Sequence, residues 1–437
     1  MKKFWKKGLT LCLLTLLACL SAGCVSSSTV EDLFTLPQPP IEYTGLLQIT
    51  DKLITDGYEY ASPTGGQNIQ SMQMEDLDGD GKPEAIAFFR KPNDEKPLKI
   101  MVFSEQDEVY SLLCTIESSG TAVDRIDYED MNDDGQLDLV VGWKISTDVQ
   151  TVAVYSVGAE PTLLVKSSYT RYSIQDMDGN GIPSLLVFRA NSEGISMAEF
   201  YGWRNDTMEL AYHCSLSSTM AELNSGSIVH GKTENGNLAV YVTGVNEQGM
   251  AVTDILVSQD NGTMTNAALN GRTGLSNIVF PYRQLNPQDI NGDGCVEIPA
   301  PVVESGTDKK NDGVVHWMSY NSNGKGKTVA TTYHCLTSGW YFNIPEAWEG
   351  HLTTTVTESD LNESRVVMQL DGEPVLAIYT ITGENRENKA LRGNRVVLKR
   401  QMVTIYAGEL LEGASAWGVD EELLRDEFNL IVKSWTV

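Results

Sequence analysis

The sequence has few of the side chains that most often carry enzymatic chemistry, and histidine is the clearest case. The five histidines are His213, His230, His316, His334 and His351. None belongs to an H-E-x-x-H zinc motif, and the chain has no G-x-S-x-G nucleophile motif. Zinc-protease and α/β-hydrolase chemistry are therefore not expected. His213 and His334 both lie in a Tyr-His-Cys triplet, which favours a repeated packing position over a catalytic one.

Cysteine is also scarce, with seven residues, and Cys12, Cys19 and Cys24 fall near the N-terminus. The other four are Cys114, Cys214, Cys295 and Cys335. They show no C-x-x-C or Cys/His spacing, so a zinc site is not indicated. All but Cys295 lie in strand-like runs, which favours buried free thiols. A disulfide is permitted outside the cell but is not required.

Basic residues are few: 32 Lys and Arg stand against 59 Asp and Glu, and the net charge is −27. Removing residues 1–23 takes away four lysines and no acids, so the charge becomes −27 − 4 = −31. A chain this acidic repels nucleic acid and anionic lipid. We therefore expect no nucleic-acid partner and no membrane attachment through a basic patch.

The first 23 residues have the features of a secretion signal. Four lysines precede an apolar run over residues 9–20, which is too short to span a membrane and leads into small residues and Cys24. This end of the segment resembles a bacterial lipobox, although Ser21 stands where leucine is commoner. The resemblance implies a lipid on Cys24 and an extracytoplasmic chain anchored to the cell membrane; a plain secretion signal with an incidental cysteine is the alternative. Residues 24–42, with serines and then prolines, are predicted to form a tether.

An acidic, glycine-containing loop recurs down the chain. Its first copy is Asp-Leu-Asp-Gly-Asp-Gly-Lys-Pro-Glu over residues 76–84, and further copies begin at Asp130, Asp176 and Asp289. The interval from Asp176 to Asp289 is about twice the others, and Gly231-Lys-Thr-Glu-Asn-Gly lies in the middle of it as an eroded copy. A repeat of roughly 50 residues is typical of propellers and arrays.

The residue types in this loop match calcium chemistry. Oxygens at positions 1, 3, 5 and 9, with a backbone carbonyl at position 7, can converge on one hard cation, and glycine at position 6 reverses the chain. The alternative is that Asp and Gly simply form good turns. The predicted metal ligands are Asp76, Asp78, Asp80, Lys82, Glu84, Asp130, Asn132, Asp134, Gln136, Asp138, Asp176, Asp178, Asn180, Asp289, Asn291, Asp293, Cys295 and Glu297.

An EF-hand loop begins in the same way but carries a bidentate Glu at position 12. The corresponding residues here are Ala87, Val141, Val187 and Ala300, and each loop leads into an apolar strand and not a helix. In this form the loop resembles the FG-GAP/VCBS repeat of integrin-α-like propellers, over residues 67–335. The resemblance implies a β-propeller whose loops each hold one structural Ca²⁺. Because Ser184 replaces the last carboxylate of the third copy, two to four ions are expected.

The sequence predicts a mainly β chain with four-stranded blades. About five blades over residues 43–337 would form the propeller. Within this region, one short helix that contains Leu46, Ile49 and Leu53 and stops at Gly57 is predicted before the first strand. Residues 338–437 are predicted to form an α+β domain. Its strands lie near 366–370, 375–381, 396–399 and 403–407, and Asp420 caps a helix. The face of that helix would present Leu424, Phe428, Ile431 and Trp435.

The function expected from these features is non-catalytic binding or scaffolding in a bacterial cell envelope, with a membrane anchor and an unknown protein or glycan ligand. The alternative is a carbohydrate-active enzyme that uses carboxylates on a propeller face. In a third interpretation the propeller is a spacer and the last domain binds the partner.

Overall fold

A computed structural model describes residues 44–107, 109–259, 263–302, 312–360 and 362–431. The predicted secretion signal, most of the tether and Cys24 lie outside these residues. The segment 44–58 contains helix α1 (Thr44–Thr55), as the periodicity predicts. The helix ends at Thr55, and Gly57 follows in the turn with a φ of 89°, a conformation that favours glycine. The Tyr58 amide donates to the Leu53 carbonyl at 3.0 Å across this helix end.

From residue 59 the chain is mainly β, in six antiparallel sheets. The first sheet contains β1 (Glu59–Tyr60), β2 (Met72–Glu75), β3 (Glu84–Arg90), β4 (Leu98–Gln106) and β5 (Val109–Ser118). Its order is β1-β3-β4-β5, and β2 also pairs with β3. The second sheet, in chain order, contains β6 (Ala122–Glu129), β7 (Asp138–Lys144), β8 (Gln150–Ser156) and β9 (Thr162–Tyr169).

The next sheets repeat this meander. The third contains β10 (Arg171–Gln175), β11 (Ser184–Ala190), β12 (Ser196–Arg204) and β13 (Thr207–Ser215). The short helix α2 (Met220–Leu223) follows, with Thr219 and Glu222 forming a capping box.

The fourth sheet contains β14 (Ser227–Lys232), β15 (Leu238–Val245), β16 (Met250–Ser258), β17 (Met264–Asn266) and β18 (Val279–Pro281). The fifth begins with β19 (Glu297–Pro301), β20 (Gly313–Tyr320), β21 (Gly326–Cys335) and β22 (Trp340–Asn343).

The sixth sheet has the order β23-β24-β25-β27-β26. Its elements are β23 (Leu352–Asp360), β24 (Glu363–Leu370), β25 (Glu373–Thr382), helix α3 (Arg386–Ala390), β26 (Val396–Arg400) and β27 (Thr404–Leu410). Two 3₁₀ turns, Glu346–Trp348 and Ala414–Trp417, flank it in the chain. The four strands predicted for this region are all present.

The last elements are helix α4 (Glu421–Asp426) and strand β28 (Phe428–Leu430). Asp420 caps α4 by accepting a hydrogen bond from the Leu423 amide at 2.9 Å, as predicted. The predicted extent of the helix is wrong, because Phe428 lies in β28, which pairs with β22 of the fifth sheet. Pairing with a sheet that is distant in sequence overrides the helical spacing of Leu424 and Phe428. Trp435 lies outside the described residues.

The fifth sheet also contains strands from both sides of residue 338, the predicted domain boundary. β21 ends at Cys335, and Cys335 pairs with Trp340 of β22. The division into a repeat region and a last domain therefore remains a prediction.

Buried strand residues explain why the sheets pack in chain order. In β7, Val141 packs in a cluster with Phe88 of the first sheet, and the adjacent Val140 packs with Val187 of the third. Successive side chains of a strand point to opposite faces, so the central strands are apolar on both sides. Further clusters join the third sheet to the fourth, the fourth to the fifth and the fifth to the sixth.

Candidate metal centres

The acidic loops connect strands, as predicted, and do not connect helices. Residues 76–83 join β2 to β3, residues 130–137 join β6 to β7, and residues 176–183 join β10 to β11. The eroded copy, residues 233–237, joins β14 to β15. The last loop, residues 289–296, departs from this form, because no strand enters it and Gln288 alone forms a bridge with Glu297, the first residue of β19. These five segments are named loops 1 to 5 in chain order.

In loop 1 the carboxylates converge. Oxygens of Asp76, Asp78 and Glu84 lie within 4.8 Å of one another. The Asp76 Oδ2 atom accepts a hydrogen bond from the Gly81 amide at 3.0 Å, which folds the loop around its first residue. Gly81 has a φ of 86°, so glycine is required at this position. Asp80 accepts from the Lys82 amide at 2.7 Å, which aligns position 5 of the loop.

The carboxylate at position 9 is held by the same contact in three loops. The position-2 amide donates to one oxygen of this carboxylate from Leu77 to Glu84 at 3.0 Å, from Met131 to Asp138 at 3.0 Å and from Ile290 to Glu297 at 3.2 Å. This contact ties the end of the loop to its start. It places the last predicted ligand under the loop, away from solvent.

The other oxygen of the position-9 carboxylate is buried and makes no hydrogen bond of normal geometry in two of these loops. Asp138 is 1% exposed and Glu297 is 0% exposed, and the atoms concerned are Asp138 Oδ1 and Glu297 Oε1. The hydroxyls of Ser156 and Ser319 lie near these two carboxylates and lower their pKa values by less than burial raises them. In loop 1 the buried oxygen without a partner is Asp76 Oδ1. A buried carboxylate oxygen that makes no hydrogen bond is costly. A cation ligated by these oxygens would remove that cost.

The electrostatics of the loops agree with this description. Burial, with repulsion from the other carboxylates of the loop, raises the pKa of Asp138 to about 7 and the pKa of Glu297 to about 7. The pKa of Glu84 is raised by the same two causes. These are anionic groups in sites that disfavour negative charge.

Loops 2 and 5 differ from loop 1 at positions 3 and 5. The Asn132 amide donates to Asp134 Oδ2 at 2.9 Å, and the Asn291 amide donates to Asp293 Oδ2 at 3.0 Å. Each loop keeps the turn of loop 1, with the position-6 amide donating to Asp130 or Asp289 at 2.9 Å. Their three carboxylates do not converge as those of loop 1 do, because among the described residues the group within 4.8 Å is that of loop 1. At position 7, Gln136 and Cys295 each donate their backbone amide to the position-5 carboxylate.

Loop 3 keeps the turn but has a different charge balance. Asp176 accepts from the Gly181 amide at 2.9 Å, and the Asn180 side chain accepts from the Ile182 amide at 2.7 Å. Position 9 is the neutral Ser184, and a guanidinium from β12 approaches instead: Arg204 Nη2 lies 3.9 Å from Asp178 Oδ2. Arg204 was not predicted, because its position depends on the pairing of β11 with β12 and β13.

Loop 4 is held together by neutral and ion-pair contacts. Asn235 donates to the Ser322 hydroxyl at 2.9 Å and accepts from the Ser322 amide at 2.9 Å. Glu234 pairs with Lys327 at 2.7 Å. These contacts join loop 4 to the turn between β20 and β21.

Adjacent loops are also linked to each other. The Leu137 amide of loop 2 donates to the Leu77 carbonyl of loop 1 at 2.7 Å. The Val296 amide of loop 5 donates to the Lys232 carbonyl, next to loop 4, at 3.0 Å. The loops therefore lie on the seams between consecutive sheets.

Among the described residues the cysteines and histidines form no further metal cluster. Cys114, Cys214 and Cys335 are free and buried, as predicted, and Cys295 is free and partly exposed. The prediction that His213 and His334 occupy equivalent positions is wrong. His213 lies exposed on β13, the last strand of its sheet, whereas His334 is buried on β21, in the middle of its sheet.

None of the helices in the described part of the chain is long and apolar enough to cross a membrane. No family model matches the chain, and no curated protein matches it. Among solved structures, the chain is similar to a GDP-Man-dependent mannosyltransferase from Leishmania mexicana, at 9% identity over 57% of this chain and 83% of that chain, with a TM-score of 0.23. A TM-score this low supports no inference about fold or activity, and the FG-GAP/VCBS resemblance remains a prediction.

Proposed function

We propose that this chain is a calcium-stabilised, non-catalytic binding or scaffolding protein, with Ca²⁺ in loops 1, 2 and 5. The observation that carries the proposal is the buried position-9 carboxylate, fixed by the position-2 amide through one oxygen. In loops 2 and 5 its other oxygen is buried and makes no hydrogen bond of normal geometry, although a serine hydroxyl lies near each carboxylate. Calcium takes six to eight oxygens in flexible geometry, and carboxylates, amide oxygens and a backbone carbonyl from one short loop fit this requirement.

The residues that would hold each ion follow from the loop geometry. In loop 1 they are Asp76, Asp78, Asp80, Glu84 and the Lys82 carbonyl. In loops 2 and 5 the corresponding residues are Asp130, Asn132, Asp134, Gln136, Asp138, Asp289, Asn291, Asp293, Cys295 and Glu297. The bound ion would supply positive charge to carboxylates that otherwise repel one another. Loop 3 is proposed to bind no ion, since Arg204 brings a fixed positive charge to Asp178 and Ser184 supplies no carboxylate.

The ions are proposed to stabilise the seams between sheets and not only the hairpins, because the loops bond to each other across those seams. The first five sheets are antiparallel meanders that pack against one another in chain order. The blades of a propeller are arranged in this way, which supports a propeller built from these five sheets. Closure of the ring is part of the proposal. The loops at one end of such a propeller would meet the protein or glycan ligand.

We further propose that the chain is extracytoplasmic and anchored through a lipid on Cys24. Growth with a radiolabelled fatty acid tests this. Label is expected on the parent protein and not on a Cys24→Ser variant, and an unlabelled parent would contradict the anchor.

Thermal unfolding tests the calcium proposal. The purified protein is expected to melt at a higher temperature in millimolar Ca²⁺ than in EDTA, because a ligand that binds only the folded state stabilises it by RT ln(1 + [L]/Kd). Mg²⁺ at the same concentration is expected to give a smaller shift, because it requires near-ideal octahedral geometry. Equal melting temperatures in Ca²⁺ and EDTA would refute the proposal.

A further inference from the structure

One segment of the sixth sheet carries a net positive charge, opposite in sign to the charge of the rest of the chain. Residues 385–408 contain six basic residues and one acid, Glu387, for a local charge of +5. The basic residues are Arg386, Lys389, Arg392, Arg395, Lys399 and Arg400. The remainder of the chain then carries −27 − 5 = −32. In the structure Arg392, Lys399 and Arg400 are exposed and Arg386 is half-buried, and Arg400 also pairs with Glu387 at 3.4 Å. Lys389 is buried and Arg395 pairs with Glu363, so the basic side chains that reach the surface lie mainly around the β26–β27 turn and the residues after α3.

The same segment exposes apolar side chains at the turn between β26 and β27. Met402 is 90% exposed and Val403 is 67% exposed, and the exposed Lys399, Arg400 and Gln401 precede them. Leu391, which follows helix α3 in this segment, is 63% exposed. An apolar tip next to basic side chains is the composition that favours the interface of an anionic bilayer.

The backbone contacts fix this turn in place. The Gln401 amide donates to the Thr404 carbonyl at 2.8 Å, which closes the turn. Arg386 of α3 donates from Nη2 to the Met402 carbonyl at 3.2 Å. Arg395, at the other end of β26, pairs with the buried Glu363 at 2.9 Å. The exposure of Met402 is therefore built into the hairpin.

Edge protection explains only part of this composition. β26 is an edge strand, and charged residues on an edge prevent pairing with another chain. Lys399 and Arg400 would serve that purpose, but an exposed methionine and valine would not.

We propose that the turn over residues 399–403 docks onto the surface of an anionic phospholipid bilayer, with Met402 and Val403 entering the headgroup region and Lys399 and Arg400 contacting lipid phosphates. The expectation that no basic patch contributes to membrane attachment is thereby revised for this segment. The docking does not require a lipid on Cys24, and so it can be tested separately from the anchor.

Vesicle co-sedimentation tests the proposal with a chain of residues 25–437, which carries no lipid and retains every described element. The vesicles contain equal parts of phosphatidylglycerol and phosphatidylcholine, or phosphatidylcholine alone. The protein is expected to bind the anionic vesicles and to be released in about 1 M salt, where the Debye length is about 3 Å. A Lys399→Glu/Met402→Asp variant is expected to bind at least about tenfold more weakly.

The matched control is Leu275→Asp/Lys325→Glu, which makes the same charge change at exposed positions in the β17–β18 connection and the β20–β21 turn. It is expected to bind like the parent. Equal loss of binding in both variants, or equal binding of the parent to neutral vesicles, would overturn the proposal. So would failure of the parent to bind anionic vesicles, which would leave an acidic protein as the occupant of this surface. Far-ultraviolet circular dichroism of each variant verifies that it is folded.

Discussion

Arg204 Nη2 lies 3.9 Å from Asp178 Oδ2, in the loop where Ser184 occupies the position of the last carboxylate. The guanidinium also lies over the Tyr212 ring, 4.9 Å from its centroid, and donates to the Tyr212 hydroxyl at 3.0 Å. A side chain held by two contacts can supply positive charge to loop 3 permanently. Loop 3 thus keeps the turn of the predicted metal loops, and the guanidinium of Arg204 supplies the positive charge near its carboxylates.

The number of bound ions is the first prediction. Isothermal titration calorimetry of the parent protein is expected to give three Ca²⁺, in loops 1, 2 and 5. A Ser184→Asp/Arg204→Gln variant restores the carboxylate and removes the competing cation, and it is expected to bind four. Arg189→Gln removes a guanidinium from β11, away from the loop, and serves as the control. Four ions in the parent would contradict the role given to Arg204.

The second prediction concerns the buried carboxylate of loop 2. In Ca²⁺ an Asp138→Asn variant is expected to lose about 1–3 kcal/mol of unfolding free energy, because the ion loses a charged ligand. In EDTA the same variant is expected to be as stable as the parent or more so, since a buried anion has been removed. Asp133→Asn makes the same charge change on an exposed residue of that loop and is the control.

Urea denaturation in Ca²⁺ and in EDTA measures which protein, the parent or Asp138→Asn, has the larger free energy of unfolding in each condition. Destabilisation of Asp138→Asn by the same amount in Ca²⁺ and in EDTA would indicate a packing role without an ion. A comparable effect of Asp133→Asn would mean that the loop responds to its total charge and not to one ligand.

The third prediction concerns close packing at the start of β14. A Cβ atom on Gly226 would lie 1.7 Å from the Thr243 carbonyl oxygen of the paired strand. Because backbone must move to relieve this overlap, Gly226→Ala is expected to cost about 3 kcal/mol. Gly271→Ala places a Cβ where nothing lies within 4 Å and should be close to neutral. Chemical denaturation compares the two variants, and similar midpoints would contradict the close approach of Gly226 to β15.

The fourth prediction concerns pH and His334. The Trp317 indole donates to the Thr332 hydroxyl at 2.8 Å, and this hydroxyl also hydrogen-bonds to His334 Nδ1 at 3.0 Å. Burial lowers the pKa of His334 from 6.5 to about 4. A neutral histidine with a lowered folded-state pKa contributes stability that is present above pH 6.5 and is lost as the pH falls towards 4.

The lost contribution is about 2–3 kcal/mol at pH 4.5. A His334→Gln variant, which cannot take up this proton, is expected to lose that much less stability than the parent between pH 7 and pH 4.5. His213→Gln changes an exposed histidine in the same Tyr-His-Cys context and should keep the parent's pH dependence. Parallel stability curves for the parent and His334→Gln would contradict this account.

The sequence predicted the loops and strands because their signals are local. Gly81 and Gly135 mark the turns, and the apolar residues after Glu84 and Asp138 mark strands that are buried on both faces. It did not predict the approach of Arg204 to Asp178, which depends on the pairing of strands. Phe428 was placed in a helix by its spacing from Leu424, whereas its pairing with Phe342 puts it in a strand. In each failure a contact distant in sequence decided the outcome.

The nesting of the sixth sheet within the fifth has a consequence for biogenesis. β22 ends at Asn343 and its partner β28 begins at Phe428, so one edge of the fifth sheet stays open until the intervening 84 residues have emerged (428 − 343 − 1). A chain synthesised from its N-terminus would complete the first four sheets before this edge is covered. Chaperones that shield unpaired strands would be needed longest at Trp340–Asn343. A translation arrest before residue 428 would release a protein whose edge strand β22 is unpaired and can pair with another chain.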